Sequence, residues 1–155
     1  MTSVSVSVLK LTSFAFGNNQ DIPPLYTCDG ANLSPPLMIE GTSPQALSLA
    51  LIVDDPDAPS KTFTHWLVWN IPSLTSSIPQ GVAPLGSVEG KNDSGTRGYY
   101  GPCPPSDTHR YFFRLYALDS MLSLKPETAT RSDLESLIHT HLIDSAILIG
   151  LYSRI

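Results

Sequence analysis

Positive charge is scarce in this chain. Nine lysines and arginines face fourteen aspartates and glutamates, for a formal net charge of -5 over 155 residues. The basic residues are scattered and form no run, which argues against a nucleic-acid partner, whose phosphates are met by basic patches. Charged residues of either sign make up only 15% of the chain, below the usual quarter. Long hydrophobic runs are missing too. The longest, Ala46 to Val53, is far short of the roughly 20 residues that cross a bilayer as a helix. The start, Thr2-Ser3-Val4-Ser5-Val6-Ser7-Val8, lacks both the positive residues and the continuous apolar stretch of a secretory leader. A cytoplasmic location is therefore expected. There are only two cysteines, Cys28 and Cys103. A reducing compartment would leave both as free thiols, although a disulfide joining their two loops stays open. No Gly-x-Ser-x-Gly elbow, Walker loop, dinucleotide fingerprint or Cys-x-x-Cys pair is present, so neither an enzyme nor a cofactor is expected.

Proline, by contrast, is abundant, with fourteen residues that stiffen long loops. Val4, Val6 and Val8 alternate with serines at the period of a half-buried strand, and Leu9 and Leu11 shift phase, which predicts a bend. Residues 17–36 and 72–105 are dense in turn chemistry, with only short strands expected in the second stretch. Strands are predicted at 37–39, 46–53, 65–71, 111–118 and 146–152. Ser132-Asp133-Leu134-Glu135 reads as a capping box opening one helix, with Leu134, Leu137, Ile138 and Leu142 on its apolar stripe and His141 among them. Strands joined by irregular loops, with one helix late in the chain, predict a single all-β domain over 1–155: an antiparallel sandwich with long proline-rich loops.

Two clusters carry polar chemistry. Asp54-Asp55-Pro56-Asp57-Ala58-Pro59 follows a buried strand, and Phe63, His65 and Trp66 come shortly after. The bland reading is an acidic turn capping backbone N–H groups. The second cluster is Gly101-Pro102-Cys103-Pro104-Pro105, a stiff loop that leads into His109-Arg110-Tyr111. Each histidine alone reads as a structural residue. Together in one cavity they would form a receptor for a small anion, with an aspartate holding one ring in place. Gly101 would let backbone N–H groups approach the ligand. Because neighbours on a strand face opposite ways, Arg110 should point away from His109 and Tyr111 and pair with Asp57. A metal site built on His65, His109 and Asp55 lacks any supporting short spacing. His141 reads as a core or helix-packing histidine.

These segments resemble the phosphatidylethanolamine-binding protein family, also called the Raf kinase inhibitor protein family, in its bacterial and archaeal branch. The match rests on Asp55-Pro56-Asp57-Ala58-Pro59, His65-Trp66-Leu67-Val68, Gly101 to Pro105 and His109-Arg110-Tyr111. Tyr26 to Gly30, Asn32 to Leu37 and Ala146 to Tyr152 extend it over nearly the whole chain. The resemblance implies a β-sandwich with a small anion pocket built from Asp55, Asp57, Phe63, His65, Gly101, Pro102, Cys103, Pro104, Pro105, His109 and Tyr111. It also implies a cis bond at Ala58–Pro59. The implied ligands are phosphate esters, carboxylates or phospholipid headgroups. Serine protease inhibition or kinase regulation through protein contacts is the alternative role, and a homodimer is an open expectation. Ser94 stands where bacterial relatives commonly carry a bulky aromatic, so the rim is expected to differ.

Overall fold

Strand β4 (Ser48–Asp55) is buried along its whole length, which explains why its sequence is continuously apolar rather than alternating. The computed structural model that reveals this describes residues 8–154. The first strand, β1 (Lys10–Thr12), begins where the phase of the alternation shifts, whereas Val4 and Val6 lie outside the described residues and Val8 is exposed. Loop 17–36 contains a two-residue strand, β2 (Gln20–Asp21), and a 3-10 turn, Pro24–Tyr26. The remaining elements are β3 (Leu37–Glu40), β5 (Phe63–Pro72), β6 (Ser77–Ile78), β7 (Val88–Glu89), β8 (His109–Leu118), helix α1 (Arg131–His141) and β9 (Leu142–Tyr152).

The strands form two sheets, one ordered β1-β3-β6 and the other β2-β9-β8-β4-β5-β7. Pairing is antiparallel throughout except for the short β2, which lies parallel to β9. Leu11, Ile39 and Ile78 from the small sheet meet Leu49, Leu51, Val53, Phe113 and Leu115 from the large one. Ala50, Ile52, Leu67 and Trp69 point the other way and pack under Leu134 and Ile138 of α1. The large sheet is thus covered on both faces, by a sheet on one side and by a helix on the other. The expected antiparallel sandwich with one late helix is what forms.

The helix starts two residues before the expected box. Thr130 Oγ1 accepts from the Asp133 N–H at 3.1 Å, and Asp133 Oδ2 accepts from the Thr130 N–H at 2.9 Å. Both frames satisfy the capping pattern. The observed one makes Arg131 the first helical residue, and its guanidinium donates to Asp54 at 2.7 Å and to Thr64 Oγ1 at 3.1 Å. His141 is no core residue. It is part-exposed at the helix end, with Nδ1 2.8 Å from Asp119 Oδ1.

Asp54 is fully buried at the end of β4 and would be costly there alone. Arg114 completes its shell, with Nε at 2.9 Å and a terminal nitrogen at 3.2 Å. Removing one partner of a buried ion pair strands the other and costs about 3–5 kcal/mol. The side chains of Arg114 and Arg131 are each 25% exposed, so water relieves them in part. Asp54→Ala should therefore lose about 3 kcal/mol, the low end of that range, read as a fall in the urea midpoint at constant slope. A loss no larger than an exposed pair gives, about 1 kcal/mol, would contradict this account.

Candidate functional site

Alternation along β4 separates two adjacent carboxylates. Leu49, Leu51 and Val53 face the inner core, and Asp55 follows them in phase. Asp54 follows Ala50 and Ile52 onto the helix face. Asp55 lies at the mouth of the sandwich, where its Oδ2 stands 2.6 Å from His109 Nδ1 and its Oδ1 accepts the Asp57 N–H at 2.8 Å. His109, Tyr111 and Phe113 form the inward row of β8. Arg110 between them points out, as the strand period requires. It grips Asp57 through Nε and a terminal nitrogen, both at 2.9 Å, which fixes the acidic turn. That contact holds the Asp57 carboxyl well down, at about 2.

His65 reaches the same place by a different device. In the pairing of β4 with β5, Val53 opposes Trp66 and Asp54 opposes Thr64, so His65 is the extra residue of a bulge. Without it, strict alternation would put His65 on the helix side with Leu67 and Trp69. A bulge re-aims one side chain at the edge of a site. His65 Nδ1 bonds the carbonyl oxygen of Tyr100. A carbonyl can only accept, so Nδ1 carries the proton and the neutral ring offers Nε2 as an acceptor. Burial is the main force that lowers the His65 pKa below its usual value, against the Tyr100 bond and the charge of Asp55.

Both imidazoles flank one ring. The Tyr111 centroid is 5.3 Å from that of His65, nearly edge-on, and 6.4 Å from that of His109, nearly parallel. They line a cavity of about 380 Å³ together with Asp55, Phe63, Cys103, Pro104 and Pro105. Tyr111 is 1% exposed, and its hydroxyl makes no full hydrogen bond among the described residues, with the Asp55 carboxylate close enough to compete for its proton. Burial, then the charges of Asp55 and Asp57, push this phenol far above its ordinary pKa, so it keeps its proton and remains a donor. No lysine or arginine lines the cavity. Ser94 does line it, with its hydroxyl turned to Asn92 Oδ1.

Several expectations need correction. Gly101 and Pro102 are buried behind the wall rather than in it. The Gly101 N–H is occupied by Asn32 Oδ1 at 2.9 Å. Glycine is required there because a Cβ would come within 2.2 Å of that same oxygen. Asp57 is a brace and not a lining residue. The cysteines are not free: Cys28 and Cys103 form a disulfide, their Cα atoms 5.4 Å apart, in two loops that are also joined by the Cys28 N–H to Pro102 carbonyl bond. Closing a loop of 75 residues removes unfolded-state freedom worth about 4 kcal/mol. No cis peptide bond occurs among the described residues, so Ala58–Pro59 is trans. Ala58, Pro59 and Tyr100 line the cavity without having been singled out for it. Tyr100 lies within the turn-rich stretch 72–105, and its carbonyl contact with His65 has no sequence signature.

The lowered His65 pKa links folding to pH. The unfolded ring takes up a proton near pH 6.5, and the folded one only further down. The contribution of His65 to stability is thus complete above about pH 6.5 and is lost as pH falls below it. Denaturant midpoints should fall between pH 6.5 and pH 5 and fall less steeply in His65→Gln. Parallel curves for the two proteins would remove His65 as the cause.

Comparison with known proteins places this geometry. The model of the phosphatidylethanolamine-binding protein family matches residues 12–153. A UPF0098 protein of Methanothermobacter thermautotrophicus is 54% identical over 151 residues, covering 94% of this chain and 99% of its own. A UPF0098 protein of Chlamydia pneumoniae is 42% identical, with the same two coverages. Among solved structures, a phosphatidylethanolamine-binding protein homologue from Chlamydia trachomatis superposes with a TM-score of 0.91 at 38% identity, over 97% of this chain and 100% of its own. YbcL of E. coli, described as a member of the mammalian family, gives 0.89 at 27% identity, over 95% and 99%. With its sandwich, its cavity and these relatives in agreement, the chain belongs to the phosphatidylethanolamine-binding protein family.

Proposed function

We propose that the cavity binds a small oxyanion that carries a proton of its own, as a phosphomonoester monoanion does. The observation that carries this reading is the convergence of two imidazoles and the Tyr111 hydroxyl on one cavity. Tyr111 donates to one ligand oxygen. His109, backed by Asp55, donates to a second when its ring is protonated. Neutral His65 has only a lone pair to offer and calls for a ligand hydroxyl. A bare dianion fits poorly, because Asp55 brings a negative charge and no lysine or arginine stands in the wall. A lipid headgroup and a free phosphate ester share this chemistry, and the family's name points to the former.

Charge-assisted hydrogen bonds contribute about 1.5–3 kcal/mol each. Two or three of them, less the cost of immobilising the ligand, give an affinity on the order of millimolar to micromolar.

A second reading has one observation in its favour. Leu74 and Leu85 are 94% and 95% exposed on neighbouring proline-rich loops, a surface suited to a protein partner such as a protease or a kinase. A metal-assisted hydrolase has none, since no three His, Cys, Asp or Glu groups among the described residues could hold a metal ion.

Titration of isotope-labelled protein with inorganic phosphate and with phosphoethanolamine, followed by NMR, tests the reading. Shifts should centre on His65, His109 and Tyr111. Binding of phosphoethanolamine should weaken above pH 7, because the second proton of a phosphate ester leaves near pH 6. His109→Ala should bind at least about tenfold more weakly, the equivalent of one such bond. Adding phosphatidylethanolamine vesicles separates a lipid headgroup from a free ester. Shifts that persist unchanged in His109→Ala would sink the proposal.

A further inference from the structure

The disulfide lies in the wall of the cavity. Cys103 lines it, and Cys28 backs it from the neighbouring loop. Both residues are part-exposed, so a thiol in solution can reach them. The two loops are also joined without sulfur. The Cys28 N–H donates to the Pro102 carbonyl at 3.1 Å, the Gly101 N–H to Asn32 at 2.9 Å, and the Tyr99 hydroxyl to the Tyr26 carbonyl at 2.7 Å. These bonds join the same two loops independently of the sulfur bond.

The surroundings of the two sulfurs differ. A terminal nitrogen of Arg154 stands 3.6 Å from Cys103 Sγ. That guanidinium is held by Asp29 at 3.1 Å, and Asp29 in turn accepts from the Tyr152 hydroxyl. Cys103 shares the cavity lining with Asp55, His65, His109 and Tyr111. Of all these groups, the cation of Arg154 is the one in contact with the sulfur. In thiol–disulfide exchange the leaving sulfur departs as a thiolate, and a neighbouring cation favours departure. A cation beside Cys103 favours Cys103 as the sulfur that leaves and Cys28 as the sulfur that is attacked.

We propose that Cys28–Cys103 is a thiol-exchange site whose reduction sets a negative charge in the wall of the cavity and thereby weakens oxyanion binding. The step requires an external dithiol. Its thiolate attacks Cys28 Sγ, the sulfur–sulfur bond breaks, and the electron pair leaves with Cys103 as a thiolate beside Arg154. The second thiol of the reductant then attacks the mixed disulfide and releases Cys28. The reductant departs as a disulfide, having supplied two electrons. The consequence for binding rests on the oxyanion reading above, whereas the exchange site itself does not.

Two experiments separate these layers. In Cys28→Ser, the rate of Cys103 alkylation by iodoacetamide is measured against pH. Its midpoint should lie below the free-cysteine value of about 8.5, and adding Arg154→Gln should move it upward. In the wild type, inorganic phosphate is titrated into the oxidised and the dithiothreitol-reduced protein, with the NMR spectrum reporting the fold. The reduced form should bind at least fivefold more weakly at pH 8, and the two forms should bind alike at pH 5.5, where the thiol is neutral. A ratio that does not change with pH would mean a loosened loop rather than a charge, and would overturn the proposal. So would a reduced protein that unfolds, or an alkylation midpoint indifferent to Arg154. If phosphate binds neither form, the oxyanion reading fails, and the alkylation profile still decides whether Cys103 is primed.

Discussion

Everything at the mouth of this sandwich depends on how the last turn of β4 disposes of two adjacent carboxylates. A strand sends neighbours to opposite faces. Asp54 goes to the helix side, where Arg114 and Arg131 neutralise it in full burial. Asp55 goes to the inner side and meets His109. Were both on one face, their repulsion would have no such relief. The first pair locks α1 onto the sheet, and the second orients an imidazole toward the cavity. One backbone period thus assigns a structural task and a binding task to consecutive residues.

The second constraint is the bulge in β5. It costs one ladder position and turns His65 from the helix face to the cavity. The same device brings the His65 ring against Tyr111 and Phe63, with centroids 5.3 and 4.7 Å away. These two rings leave little freedom for the imidazole, and the Tyr100 carbonyl settles which nitrogen holds the proton. The receptor is therefore prearranged before any ligand arrives, which lowers the cost of binding.

The loops supply the remaining wall. Proline stiffness, the close approach at Gly101 and the Cys28–Cys103 bond hold the 101–105 segment against the 26–32 segment. Each fastening acts at a distance in sequence of about seventy residues or more. Arg110 and Asp57 fasten the opposite wall in the same manner. A small cavity with weak intrinsic electrostatics needs such fastening, because its groups act only when their directions are held.

Much of this was legible in the residues themselves. Apolar runs located β4, β5, β8 and β9, and strand alternation alone placed Arg110 outward and His109 and Tyr111 inward. The motif set also carried the family. Those features are local, set by side-chain period and backbone preference within a few residues. What local rules could not decide was settled by packing. Helix α1 opens at Arg131 rather than two residues later because Asp54 waits for a cation on the sheet below. The two cysteines join because loops 75 residues apart are brought together in the fold. His65 faces the cavity only through a bulge, and the Gly101 N–H bonds Asn32. Sequence determined which segments are strands and which side chains alternate. Only the tertiary structure decided which groups meet, because each of those contacts joins segments that have no local influence on one another.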